Sequence, residues 1–348
     1  GYPITPASPI LEGLSHLKKY GVKCVQAEDE IAAIGVAIGA SFAGDLSVCA
    51  TSGPGMCLKS EFIGLASITE LPLVICNIQR GGPSTGLPTK TEQSDLLQAL
   101  FSRHGDCPLP IVAAHSPSDC FDCAIEAVRI AITYMTPVIF LSDLYVANGA
   151  EPWLVPNIGD LPEIENSFAS TEEEYVIYRR DSETLARKQA IPGQVGLEHR
   201  IGGLEKSEDG SVSYDPENHE KMTHLRAQKV AGIAKSYGPT EIQGDTEGDL
   251  LVIGWGGTYG AISSAVSLLR EEGYAVSNLH LRHLNPLPDD LGKIMGRFKK
   301  IVVPELNLGQ LSFVLRAKYL IDVISFGRVQ GKPFKVSELQ KKFLEHLA

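Results

Sequence analysis

The sequence lacks a hydrophobic run long enough to cross a membrane, and it lacks an excess of basic residues. Its 348 residues include 31 lysines and arginines against 42 aspartates and glutamates, a formal net charge of -11. A membrane-spanning helix needs about 20 consecutive apolar residues, so we expect no membrane partner. Nucleic-acid-binding domains present clustered positive charge, so we expect no nucleic-acid partner either.

Cysteine is missing after Cys123, and all seven cysteines lie between Cys24 and that residue. Cys120 and Cys123 form one C-x-x-C pair, in a first helical turn marked by Ser116 and Asp119. A structural metal site takes about four ligands and no second pair exists, so we expect no metal site and a structural role for the pair. Scattered cysteines in apolar segments indicate a reducing compartment and a cytoplasmic protein.

Short apolar strands alternate with helices over two stretches of the chain. In the first stretch the strand segments are "KCVQ", "LSVCA", "LPLVICNIQ", "IVAA" and "PVIFLSD". Strands without polar alternation, each followed by a helix, predict a parallel sheet covered on both faces. The pattern returns from "DLLVIGW" to "DVISFG". The sequence therefore predicts an α/β protein with two parallel-sheet domains, residues 1–160 and a smaller one at 245–348, joined by a connector with local structure at 161–244.

The helix "EDEIAAIGVAIGASFAG" contains two features that need a reason. Gly35 and Gly39 lie on one face, and each costs about 1 kcal/mol relative to alanine in a helix interior, so we interpret them as sites of close helix packing. Glu28, Asp29 and Glu30 gather at the helix start, where the helix dipole favours negative charge. A solvated first turn is the ordinary interpretation of such an acidic run.

Two loops follow apolar strands. In "CATSGPG" the small residues Thr51, Ser52 and Gly53 form a turn between strand and helix that lets a ligand approach the backbone, although such turns are common in α/β proteins. In "NIQRGGPSTGLPTKTEQSD" Arg80 ends a strand, where an unpaired charge is costly.

Glycines and prolines give the loop after Arg80 a defined conformation, and Ser84, Thr85 and Thr89 supply hydroxyls. An arginine that binds a carboxylate through two parallel hydrogen bonds, next to hydroxyl donors, suits a small acidic substrate. The alternative is an arginine paired with an internal acid.

The chain opens with "GYPITP", a loop in which two prolines constrain Thr5. "YPITP", "QAEDEIAAIG", "ATSGPG" and "RGGPSTGLPT" occur in one order and together closely resemble the alpha subunit of 2-oxoglutarate:ferredoxin oxidoreductases, within the thiamine-diphosphate-dependent 2-oxoacid:acceptor oxidoreductases. "AIPGQVGLEHRIGGLEK" and "YDPENHE" extend the resemblance to nearly the whole chain. It implies a pyrimidine-binding-type domain at 1–160, a transketolase C-terminal-like domain at 245–348, and a further domain before Gly1 in a longer subunit.

The resemblance also implies roles for the site residues. Glu30 would be catalytic, hydrogen-bonding the pyrimidine ring of the cofactor, with Glu28 as the fallback if the register slips by two. Thr5 and Arg80 would contact the 2-oxoacid carboxyl end or the adjacent cofactor. The remaining candidates are Thr51, Ser52 and Gly53 for the cofactor, and Thr89, Ser84 and Thr85 for the distal carboxylate.

The implied reaction is oxidative decarboxylation of a 2-oxoacid, 2-oxoglutarate favoured, to an acyl-CoA, with coenzyme A as co-substrate and electrons passed to ferredoxin. The chain has no convincing Gly-Asp-Gly motif followed by Asn and no ferredoxin-like cysteine run. A beta subunit would therefore hold the diphosphate with Mg2+ and an iron-sulfur cluster, in a hetero-oligomer that is active only when complete.

Three alternatives remain from the sequence. The chain could serve a pyruvate or branched-chain 2-oxoacid enzyme of the same family, or be a noncatalytic scaffold that kept the fold. A nicotinamide dehydrogenase would depend on the turn "GWGGTYG" alone, and its spacing departs from the dinucleotide fingerprint. His280 and His283, at a strand end, we interpret as structural or interface residues.

Overall fold

A computed structural model of the chain describes residues 1–166, 168–172 and 174–347. None of the helices in these ranges has the length and apolar character needed to cross a membrane. The helices are α1 (Ser8–Ser15), α2 (Glu30–Phe42), α3 (Gly53–Thr69), α4 (Leu96–Phe101), α5 (Asp119–Tyr134), α6 (Leu144–Ala147), α7 (Pro216–Gly232), α8 (Tyr259–Glu271), α9 (Leu291–Met295), α10 (Gln310–Tyr319) and α11 (Val336–Leu347). The strands are β1 (Val48–Thr51), β2 (Leu73–Gln79), β3 (Ile111–Ala113), β4 (Pro137–Asp143), β5 (Gly248–Trp255), β6 (Val276–Leu281), β7 (His283–Asn285), β8 (Phe298–Glu305) and β9 (Ile324–Gly327).

The first sheet has the strand order β1-β2-β4-β3-β7, and β1 to β4 are parallel. Every residue of β2 and β4 is buried, as expected for central strands with helices on both faces. Alternate residues of β2 enter different cores: Ile75 packs with residues of α2 and α3, whereas Val74 packs with residues of α5. The uninterrupted apolar segments of the sequence are therefore buried strands, as predicted.

The second sheet has the order β6-β5-β8-β9 and is parallel throughout. One face packs against α8 and α11. The other face shares a single core with the first sheet, since Leu251 and Val303 belong to the same buried cluster as Ile75 and Ile139. Burying one such side chain contributes about 1.5–3 kcal/mol. The α/β class with two parallel sheets is confirmed. Because the two sheets share one core, they hold the loops that lie between them.

Two features of the strands differ from the prediction. The segment "KCVQ" at 23–26 is not a strand, and its neighbour is the first residue of the chain: Gly1 donates to the Val25 carbonyl at 2.7 Å and accepts from Ala27 N–H at 3.0 Å. The short strand β7, from the second half of the chain, pairs antiparallel with β3 at the edge of the first sheet. The boundaries at 160 and 245 remain predictions.

The connector is fixed to the C-terminal end of α3. Glu70, which follows this helix, is fully buried and accepts hydrogen bonds from Arg180 and from Lys229, the latter at 2.6 Å. Burial would raise the pKa of Glu70, but the two cations outweigh it and lower the pKa to about 2. Arg187 and Lys206 donate to carbonyls of the last turn, where the helix dipole favours positive charge. The helix that begins at the candidate site is thus fixed at its far end.

Candidate active site

The predicted site residues lie at one edge of the first sheet. Thr51 is the last residue of β1, and Arg80 directly follows β2. Thr51 pairs in register with Asn77, close to the end of β2. Because parallel strands end at the same edge, the loops after them meet there, which is the usual position of ligand sites in such sheets.

Glu30 is the first residue of α2 and points inward. Asp29 caps the helix by accepting a hydrogen bond from Ala32 N–H at 2.7 Å. Glu30 is buried, with 8% of its surface exposed, whereas Glu28 is exposed. No donor among the described residues binds the Glu30 carboxylate, so it is available to a ligand. The helix register thus favours Glu30 over the fallback Glu28.

The turn after β1 brings Thr51 and Glu30 together at Gly55. A Cβ on Gly55 would lie 1.9 Å from Thr51 Oγ1 and 2.9 Å from Glu30 Cγ, so only glycine allows this close approach. Ser52 is fully buried, and its hydroxyl has no hydrogen-bond partner in the described part of the chain. Two motifs that are separate in the sequence, the start of α2 and the turn after β1, therefore pack directly against each other.

The packing interpretation of the α2 glycines is only half right. A Cβ on Gly35 would meet the ring of Phe62 of α3 at 3.5 Å, which is ordinary packing contact. A Cβ on Gly39 would meet nothing within 4 Å, so close packing within the described chain does not account for this glycine.

Arg80 is buried, with 8% of its surface exposed, and one of its terminal nitrogens donates to the carbonyl of Thr5. Its Nε is buried without a partner, and no described carboxylate forms an ion pair with it. An internal acid partner, the alternative raised by the sequence, is thus not found among the described residues. A buried guanidinium with unused donors is costly unless an anion binds it. The structure brings Thr5 and Arg80 together and leaves the arginine available to an anion.

The loop after Arg80 is closed by its own backbone. Gly86 has a φ of 48°, and a Cβ there would lie 2.2 Å from the Gly81 carbonyl, which itself accepts from Leu87 N–H at 2.8 Å. Ser84 lines the same cavity as Arg80. Thr85 and Thr89 are exposed and do not line it, so their roles as substrate ligands stay predictions.

A cavity of about 520 Å³ lies between these loops and the second sheet. The turn after β1 and the loop after β2 form one wall. The other lining residues were not singled out from the sequence: Cys57, Glu92, Ser94, Asp95, Gln98, Asn307, Leu308, Gln310 and Val329. The polar run "TEQSD" precedes a helix and has the ordinary composition of a helix start, so its side chains gave no signal of a site.

The second sheet holds the site loop through Gln93, which is fully buried. Its side chain donates to the Trp255 carbonyl at 2.6 Å and accepts from Leu306 N–H at 3.0 Å. Gly257 N–H donates to the Asp143 carboxylate at 2.7 Å. The turn "GWGGTYG" is therefore filled by side chains from the end of β4 and from the loop before α4, which removes the support for a dinucleotide phosphate there.

The histidine and cysteine candidates outside this edge are packed residues. His280 contacts the Gly256 carbonyl at 3.1 Å, and burial lowers its pKa to about 3. His283 contacts Glu126 at 2.9 Å and stacks on Tyr237. Burial raises the pKa of Cys120 to about 11, so this side chain stays a thiol. These contacts support the structural interpretations of the two histidines and of the cysteine pair.

The chain matches two family models. Residues 1–215 match the one described as pyruvate flavodoxin/ferredoxin oxidoreductase, thiamine diphosphate-binding, and residues 248–339 match pyruvate:ferredoxin oxidoreductase core domain II. Over 341 residues the chain is 54% identical to the 2-oxoglutarate oxidoreductase subunit KorA of Mycobacterium tuberculosis, covering 97% of this chain and 52% of that protein.

The chain is also similar to solved structures. The 2-oxoglutarate:ferredoxin oxidoreductase from Magnetococcus marinus, with 2-oxoglutarate, coenzyme A and succinyl-CoA bound, gives a TM-score of 0.94 at 36% identity, over 100% of this chain and 61% of that one. A split-gene transketolase, at 13% identity and a TM-score of 0.53 over 96% of this chain and 87% of that one, shares the fold.

The chain thus spans between about half and three fifths of the length of the two oxidoreductases described above. The resemblance drawn from the sequence motifs is confirmed, and so is the transketolase-like fold. The chain belongs to the thiamine-diphosphate-binding family of pyruvate flavodoxin/ferredoxin oxidoreductases, among relatives that are 2-oxoglutarate oxidoreductase subunits.

Proposed function

We propose that this chain forms the part of a 2-oxoglutarate:ferredoxin oxidoreductase that binds the 2-oxoacid and the pyrimidine ring of thiamine diphosphate. The observation that carries the proposal is Arg80, buried with unused donors and fixed on Thr5 at the same sheet edge as Glu30. The complete enzyme oxidatively decarboxylates the 2-oxoacid to an acyl-CoA and passes the electrons to ferredoxin. The names of the relatives support this assignment.

The residues at the edge of β1 fit the thiamine ring. Glu30 has a buried carboxylate without a donor, Ser52 has a hydroxyl without a partner, and Gly55 lets Thr51 and Glu30 lie together at the turn. When bound, thiamine diphosphate supplies the nucleophilic carbon and the electron sink that decarboxylation requires. Glu30 would form a hydrogen bond with a ring nitrogen of the pyrimidine, and Thr51, Ser52 and Gly53 would bind the ring.

The residues at the edge of β2 orient the substrate. The guanidinium of Arg80 binds a substrate carboxylate by charge-assisted hydrogen bonds, which are roughly twice as strong as neutral ones. The bond to the Thr5 carbonyl fixes the direction of the fork. Ser84, and from the outer loop Thr85 and Thr89, contact the distal carboxylate. The cavity between the two sheets holds the substrate.

The rest of the machinery lies outside this chain. A beta subunit holds the diphosphate, Mg2+ and an iron-sulfur cluster, so the active site lies at the interface of a hetero-oligomer, and coenzyme A is the acyl acceptor. All seven cysteines are free thiols, which supports a cytoplasmic location.

Comparison of substrates tests the function. With the complete complex, thiamine diphosphate and Mg2+, we expect reduction of a low-potential acceptor only when a 2-oxoacid and coenzyme A are both present, and a higher kcat/KM for 2-oxoglutarate than for pyruvate or a branched-chain 2-oxoacid. A preference for pyruvate would reassign the substrate within the family. Inactivity with all three substrates would favour the noncatalytic scaffold.

Gly55→Ala should weaken the binding of thiamine diphosphate by about 5-fold to 150-fold, because the new methyl group overlaps Thr51 Oγ1 and forces it and Glu30 aside, at a typical cost of about 1–3 kcal/mol. Calorimetric titration of the complete complex measures the change. Gly39→Ala is the matched control, because its methyl group meets nothing and raises helix propensity. Equal affinity in both variants would contradict the role of Thr51 and Glu30 in holding the cofactor.

A further inference from the structure

Asp95 occupies the N-cap position of α4 but does not cap the helix. An aspartate at this position normally accepts a hydrogen bond from the second or third N–H of the helix. The Asp95 side chain makes no such bond, and the N–H of Leu97 donates to Gln310 Oε1 at 2.9 Å instead. A residue of α10 has taken over the cap, which frees the carboxylate of Asp95 for another role.

The carboxylate faces the candidate active site. Its Oδ2 accepts from Asn77 Nδ2 at 3.0 Å, and its Oδ1 accepts from no donor in the described ranges. A Cβ on Gly53 would lie 3.0 Å from Oδ2, so the carboxylate sits directly over the first residue of α3. Asp95 and Arg80 line the same cavity.

The charges around Asp95 are unbalanced. The negative charge of Glu92 and the positive charge of Arg80, both from the neighbouring loop, act on the Asp95 carboxylate. The cavity is also lined by the thiol of Cys57, from α3, and by the uncharged side chains of Asn307 and Gln310, from the other side. Glu92 is engaged by Gly82 N–H at 3.3 Å and by the Ser94 hydroxyl at 3.1 Å.

Burial raises the pKa of Asp95 to about 6; the bond from Asn77 and the charge of Arg80 lower it, and Glu92 raises it. The cavity therefore has one cation and two acids before any anion enters.

An anion bound to Arg80 changes this balance. It neutralises the charge that favours ionised Asp95 and brings a further negative charge close to it, and both effects favour the protonated carboxyl. We propose that Asp95 takes up one proton from solvent when an anionic substrate binds to Arg80, so that Asp95 couples substrate binding to pH. The inference rests on the proposed function in one respect only, the identity of the anion as a 2-oxoacid.

Because anion binding is coupled to proton uptake by Asp95, the affinity for the anion depends on pH. Well below pH 6 Asp95 is largely protonated before the anion binds, and binding takes up almost no proton. Between the pKa of Asp95 in the free protein, about 6, and its higher pKa in the complex, affinity falls as pH rises, by up to about tenfold per pH unit. A fixed cation without a titrating neighbour would give a flat profile over this range.

Calorimetric titration of the complete complex, without thiamine diphosphate so that no reaction follows, tests the inference. The two probes are 2-oxoglutarate and inorganic sulfate, in buffers of different ionisation enthalpy at pH 7 and, for sulfate, also at pH 5. We expect uptake approaching about one proton per bound anion at pH 7 and almost none at pH 5. Anion binding without proton uptake at pH 7 would overturn the proposal.

Two variants test which carboxylate takes up the proton. Asp95→Asn should abolish the uptake and flatten the dependence of affinity on pH, whereas Glu92→Gln, in the same cavity, should retain the uptake. Retention of the uptake by a folded Asp95→Asn protein would overturn the proposal; if that variant does not fold, the wild-type series at the two pH values and the Glu92→Gln result still decide. Sulfate binding with uptake but no binding of 2-oxoglutarate would refute the substrate and not Asp95. Binding of neither anion would refute both.

Discussion

Arg80→Ala should lower kcat/KM for 2-oxoglutarate by about 30-fold to several thousandfold while the protein stays folded. Removal of one partner of a desolvated charge pair costs about 2–5 kcal/mol, and each 1.4 kcal/mol is a factor of ten. The effect is expected to be this large because Arg80 is buried and unpaired with any described carboxylate, so a substrate carboxylate is its natural partner. Steady-state reduction of a low-potential acceptor by the complete complex gives the value.

Two controls separate the charge of Arg80 from its packing. Arg179→Ala removes an exposed arginine of the connector that pairs with Glu174, and it should leave the rate unchanged. Guanidinium added to the Arg80→Ala complex should restore part of the activity if the missing cation is what matters. Arg80→Lys should stay impaired, because an ammonium cannot reproduce a planar fork. Full activity of Arg80→Ala would refute the role of this arginine in substrate binding.

Glu30→Gln should lower kcat by about 10²- to 10⁴-fold, the range typical for loss of a positioned acid–base group. The amide keeps the size of the side chain but cannot exchange a proton with the pyrimidine ring. Glu28→Gln is the matched control, because Glu28 lies two residues earlier and is exposed. We expect wild-type rates from that control. A larger loss in Glu28→Gln than in Glu30→Gln would show that the helix register has been assigned wrongly.

The sheets could be predicted because their central strands are buried on both faces. The segments that became β2 and β4 are short, uninterrupted apolar runs, which are typical of strands in a parallel sheet covered by helices. Strand β7 was missed because it is only three residues long, and its partner β3 lies about 170 residues earlier in the chain. The segment "KCVQ" has strand composition, but Gly1 is the neighbour it pairs with, so no ladder forms.

The site was predicted in part for a similar reason. Glu30, Thr51 and Arg80 lie in local motifs next to strand ends or helix starts, and the topology then brings them to one edge. Asp95 was missed because an aspartate directly before a helix is ordinarily a cap. Only the position of Gln310, more than 200 residues later, shows that Asp95 has no capping role.

We propose that this chain supplies the pyrimidine-binding and substrate-binding half of an active site that a partner subunit completes. Calorimetric titration of thiamine diphosphate with Mg2+ tests it most directly, performed on the complete complex, on each subunit alone, and on the complex with Glu30→Gln. We expect tight binding only to the complete complex and markedly weaker binding to the Glu30→Gln complex. Binding to the partner alone with the affinity of the complex, or no binding to the intact complex, would contradict it.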